Sequence, residues 1–86
     1  MDVLVDYHAL KHGLTEDEIL FAWENFVRKQ HRSTPNSDQI AAVGCDRSGK
    51  LIQMVAIEKQ FGILIYHAMA PPTAKVLIEL GLIRRD

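Results

Sequence analysis

The chain has 86 residues, 48% apolar and 24% charged, with a formal net charge of -1; this describes one globular domain spanning residues 1-86, excludes a second domain or a disordered chain, and makes no demand for nucleic acid. No apolar run approaches the ~20 residues that cross a bilayer, and no basic-then-apolar leader opens the chain. Neither a membrane span nor a signal peptide is therefore expected, and the expected location is cytoplasmic.

In chain order, Val3, Leu4, Tyr7, Leu10 and Lys11 are spaced as in a short amphipathic helix over residues 3 to 12 that stops at Gly13, with a strand at Val3-Leu4-Val5 as the competing reading. Thr15 with Glu18 three residues later forms a capping box, Leu14 can staple onto Ile19, and Glu16-Asp17-Glu18 suit the positive end of the helix dipole. The second helix therefore starts here, carries Ile19, Leu20, Trp23 and Phe26 along one stripe, and ends near Asn25. Phe26 to Arg32 reads as an edge strand that ends in the turn-forming Ser33-Thr34-Pro35-Asn36-Ser37-Asp38.

Gln39 to Met69 reads as three strands of an antiparallel meander. Its turns are Asp46-Arg47-Ser48-Gly49-Lys50 and Lys59-Gln60-Phe61-Gly62-Ile63, each expected to be a bulged three-residue hairpin with glycine at positive φ. That closure pairs Cys45 with Leu51, Val43 with Gln53, Ala41 with Val55, Ile57 with Ile65 and Val55 with His67. It puts His67 on one face with Ile63, Ile65, Val55, Leu51 and Val43, and puts Ile40, Ala42, Gly44, Ile52, Met54, Ala56, Leu64, Tyr66 and Ala68 on the other. Two apolar faces imply helices over one side and a partner or partly open groove on the other. Pro71-Pro72 ends the sheet, and Thr73 caps a last helix that Gly81 closes. The expected class is α+β: two N-terminal helices, a four-stranded antiparallel sheet and a short C-terminal helix.

Lys11-His12-Gly13 before an acidic, capped helix, the Gln39 to Lys50 hairpin, and a last strand ending in His67-Ala68-Met69 together resemble the BrnT branch of the RelE-like toxins of bacterial type II toxin-antitoxin systems. Small actinobacterial-type toxin sequences, which pair a lysine-or-arginine-histidine-glycine start with a late histidine-alanine-methionine segment, resemble it more closely than the branch as a whole. The resemblance implies a RelE/BrnT-like fold and a metal-independent endoribonuclease (an mRNA interferase) that inhibits growth by cutting RNA. It further implies no cofactor, and RNA and a cognate antitoxin protein as partners, in a homodimer or a toxin-antitoxin hetero-oligomer. One departure stands out: Met69-Ala70-Pro71-Pro72 lacks the basic residues that BrnT-like proteins commonly carry after the last strand. The alternative is a catalytically inactive RelE-like binding module that works through a protein partner.

Metal-free RNA cleavage needs a base for the 2′-hydroxyl, an acid for the leaving oxygen and positive charge around the phosphate. His12 and His67 are the candidates for the proton roles, because imidazole exchanges protons near neutral pH. Lys11, Arg28, Lys29, Arg47, Lys50 and Lys75 are the candidates for holding RNA phosphates. Structural roles compete with each: His67 as a half-buried core histidine, His12 as a helix-end cap, Arg28 to Arg32 as a solvated edge, Trp23 and Phe26 as core. The four histidines do not cluster with carboxylate or cysteine partners in sequence, so no metal site is expected, and Cys45, the one cysteine, reads as a small buried residue.

Overall fold

A computed structural model describes residues 2–84. The strands are β1 (Asp2–Val5), β2 (Phe26–His31), β3 (Gln39–Cys45), β4 (Leu51–Lys59) and β5 (Gly62–Met69); the helices are α1 (Glu16–Glu24) and α2 (Ala74–Glu79), with a 3-10 turn at Tyr7–Leu10. They build one five-stranded sheet in the order β1-β5-β4-β3-β2, antiparallel throughout except that β1 runs parallel to β5.

This mixed sheet corrects the expectation of two N-terminal helices on four antiparallel strands. The first expected helix is instead the edge strand β1 followed by the 3-10 turn. Val3 and Val5 pair with Ile63 and Ile65 and pack against the core, whereas Leu4, Tyr7 and Leu10, which completed the apparent helical stripe, are exposed. Two β-branched residues at alternate positions suit a pleated strand. Asp6 then bends the chain, because its carboxylate accepts the His8 N–H at 2.9 Å and starts the short turn. Gly13, at φ 83°, stands after it.

Helix α1 forms where its cap chemistry puts it. The Thr15 hydroxyl accepts the Glu18 N–H at 3.1 Å and the Glu18 carboxylate accepts the Thr15 N–H at 2.8 Å. Its buried Ile19, Ala22 and Trp23 meet Ile40, Ala42, Ile52, Met54, Ile63 and Ile65 from the sheet, with Leu14 in the same cluster. Each large aliphatic side chain so buried contributes roughly 1.5–3 kcal/mol. On the other sheet face, Val76 of α2 and its C-cap Leu80 pack on Ala41 and Val43. Strand β2 and the residue after it clamp the end of that helix: Arg28 donates to the Leu80 carbonyl and Gln30 to the Glu79 carbonyl, both at 3.1 Å, and Arg32 grips the Glu79 carboxylate at 2.9 and 3.2 Å. Carbonyls left free at a helix C-terminus thereby find donors.

The β3-β4 hairpin has the expected register, Val43 with Gln53 and Ala41 with Val55. Asp46 is nearly buried, and one of its carboxylate oxygens accepts from the Ser48 N–H and hydroxyl and from the Lys50 N–H. Those bonds, the Ser48 hydroxyl foremost, hold its carboxyl below the ordinary aspartate range. Gly49 sits at φ 88° with open space around it, so a side chain there meets strain and no clash. Gly49→Val is expected to destabilise the protein by ~1 kcal/mol or more; an unchanged urea midpoint would refute the role given to this turn.

The β4-β5 connection differs from expectation. Lys59 pairs with Gly62 across a tight turn at Gln60-Phe61, so Ile57 meets Leu64 and Ala56 meets Ile65; Val55 nonetheless meets His67, because a β-bulge inserts Tyr66. A bulge adds one residue to one strand and so reverses which face the following side chains take. Ile63 and Ile65 therefore lie in the α1-side core, while His67 shares the opposite face with Val55 and Gln53. The expected grouping of His67 with Ile63 and Ile65 is corrected accordingly.

Candidate functional site

Three segments converge where β5 ends: the loop after the 3-10 turn, the start of β4, and the prolines leading into α2. They wall a groove of about 540 Å³ lined by His12, Gly13, Leu14, Lys50, Leu51, Ala70, Pro71, Pro72 and Leu77. His12 is exposed on its wall, and its ring lies 5.8 Å from that of His67, nearly perpendicular at 76°. The two histidines, 55 positions apart in the chain (67 minus 12), thus meet at one place.

His67 is half-buried and held. Gln53 Nε2 lies 3.1 Å from His67 Nε2, and Gln53 Oε1 accepts from the Thr73 N–H at 2.8 Å and the Thr73 hydroxyl at 3.1 Å. Burial first, then the charges of His12 and Arg32, push the His67 pKa below its ordinary value. A neutral imidazole is thus favoured at neutral pH, beside a more exposed second imidazole.

The structure gathers some of the expected site residues and disperses others. His12, His67 and Lys50 lie together at or beside the groove. Lys50 is also within 3.4 Å of a Glu18 carboxylate oxygen and 3.7 Å of an Asp46 one, so its charge is already shared. Lys11 is exposed next to His12 in the chain, and Lys75 is exposed on the first turn of α2, two residues before the groove-lining Leu77.

Arg28, Lys29 and Arg47 are engaged elsewhere. Arg28 caps α2. Lys29 stacks its ammonium over Trp23 and Phe26, 4.3 and 4.2 Å from the ring centres, in a separate hollow of about 350 Å³ on the α1 side that also holds the His31–Glu58 pair. Arg47 covers Phe21 at 4.4 Å and pairs with Asp17 at 3.5 Å.

Gln53 escaped sequence reasoning as a site residue. The available signal was a lone amide within the apolar run Leu51-Ile52-Gln53-Met54-Val55-Ala56 on an inner strand, since a polar side chain buried there must find partners. Thr73 was legible only as a helix cap; its hydroxyl does accept the Val76 N–H, at 3.3 Å, while it donates to Gln53.

Among the described residues no three of His, Cys, Asp and Glu gather as a metal-binding group, and no helix is long and apolar enough to cross a membrane. The chain matches no family model, no curated protein and no solved structure.

Proposed function

We propose that this chain is a growth-inhibiting toxin that cleaves RNA without a metal and is silenced by a cognate antitoxin protein. The observation that carries the reading is the meeting of His12 and His67 beside a groove that Lys50 also lines. In such a cleavage a base takes the 2′-hydroxyl proton, and the 2′-oxygen bonds to phosphorus as the bond from phosphorus to the 5′-oxygen breaks. The 5′-oxygen leaves with the proton that the base has taken up, and a 2′,3′-cyclic phosphate remains. A pair of imidazoles supplies proton transfer and hydrogen bonding to the phosphate, and the lysine ammonium offsets the growing negative charge. The antitoxin rests on the sequence resemblance alone.

A binding module that acts only through a protein partner is the second reading. It is favoured by the internal engagement of Arg28, Lys29 and Arg47, which leaves the groove with few phosphate-holding cations of its own.

Induced expression of the chain alone in a bacterium decides between them. The toxin reading expects growth arrest with fragmented cellular RNA, relieved by a protein encoded beside it. Normal growth with abundant soluble protein and intact RNA would contradict it.

A further inference from the structure

The amide of Gln53 has only one chemically consistent orientation. The Thr73 backbone N–H can only donate, so the atom 2.8 Å from it must be the amide oxygen; with the amide turned over, two donors would face each other. The nitrogen end, Nε2, therefore faces His67 and donates to its Nε2 at 3.1 Å. A ring nitrogen that accepts carries no proton, so the proton of the neutral His67 ring resides on Nδ1.

The chain of bonds continues outward with a single direction. The Thr73 hydroxyl donates to Gln53 Oε1 while it accepts from the Val76 N–H at the start of α2. Every donor in the series points toward His67, and Gln53 itself is buried at 5% exposure, so water does not readily replace a missing partner. A proton added at His67 Nε2 would face the Gln53 N–H donor and break the series. Burial of the ring first, then the charges of His12 and Arg32, oppose that added proton as well.

We infer that Gln53 is a positioning residue that locks His67 as a neutral imidazole protonated on Nδ1, making His67 a hydrogen-bond donor to the phosphate and leaving His12 as the group that exchanges protons. The assignment of His67 to phosphate and His12 to proton transfer rests on the proposed RNA cleavage; the tautomer does not. Among the described residues the His67 ring is hydrogen-bonded through Nε2, and no buried polar side-chain atom lacks a partner, so Nδ1 reaches solvent and its N–H is left for a ligand.

The test is long-range ¹H–¹⁵N correlation of the histidine rings in the intact protein across a pH titration. In the wild-type protein, His67 Nε2 is expected at the shift of an unprotonated nitrogen and Nδ1 at that of a protonated one, with titration below the ordinary histidine value of about 6.5. In Gln53→Glu the carboxylate can still accept from Thr73, but its other oxygen now requires a donor. His67 Nε2 is then expected to carry a proton, and the His67 pKa to move above 6.5. RNA cleavage by that variant is expected to fall at least tenfold at pH 7. A wild-type ring protonated on Nε2 overturns the inference even if Gln53→Glu fails to fold, and so does a folded variant with an unaltered His67 titration. If the tautomer is as stated but wild-type protein leaves RNA intact, the locking role of Gln53 stands and the proposed function fails.

Discussion

Gly44→Ala is expected to cost ~3 kcal/mol or more and to lower the thermal midpoint by more than about 10 °C. The reason is space, since Gly44 does not have a positive φ. Gly44 lies on the α1 face of β3, where the last turn of the helix crosses the strand; a Cβ placed there overlaps the Ala22 carbonyl and comes within 3.1 Å of the Asn25 oxygen. The obstructing atoms are backbone, and the same stretch is fixed by the Cys45 N–H bonding to the Asn25 carbonyl at 3.3 Å and by the pairing of Phe26 with Gly44. No rotamer change relieves the overlap. Helix α1 would have to lift off the sheet and expose part of the apolar cluster around Ala22 and Trp23. Thermal unfolding followed by circular dichroism reads the effect, and a variant melting with the wild type would mean that the helix does not approach β3 this closely.

What could be read from the sequence follows the range of the interaction that decides each element. Helix α1 was legible because Thr15 and Glu18 cap it within one turn, and the β3-β4 register because Asp46 and Gly49 set the hairpin locally. The parallel pairing of β1 was not, because its partner β5 lies about sixty residues away and no turn joins them. Four apolar residues at helical spacing then outweighed the two valines, although three of those four point to solvent. The bulge at Tyr66 has no local marker either, and it alone moved Ile63 and Ile65 to the face opposite His67.

The candidate site divides along the same line. The resemblance pairs the segments that carry His12 and His67, and the fold sets the two rings 5.8 Å apart. The dispersal of Arg28, Lys29 and Arg47 follows from aromatic rings and helix-end carbonyls supplied by other elements, which the charge run in the sequence does not reveal.

The second large effect is on chemistry. His12→Gln is expected to slow RNA cleavage by ~10²- to 10⁴-fold, the usual contribution of a group that transfers a proton in the transition state. The exposure of His12 means that its replacement leaves the core intact. His67→Ala is expected to slow cleavage by ~10²-fold through loss of a donor to the phosphate. It also leaves the buried Gln53 amide without its partner, a cost of ~1–3 kcal/mol, so its melting curve must be measured beside its rate. Loss of activity from His12→Gln at unchanged stability is the outcome that a merely structural histidine would not produce.

The most direct measurement is a time course of purified protein with single-stranded RNA in excess chelator, comparing wild type with His12→Gln and analysing the ends of the products. Wild-type protein is expected to yield fragments ending in 2′,3′-cyclic phosphate while His12→Gln, equally folded, yields almost none; intact RNA with the folded wild type, or equal cleavage by the two proteins, would contradict the account.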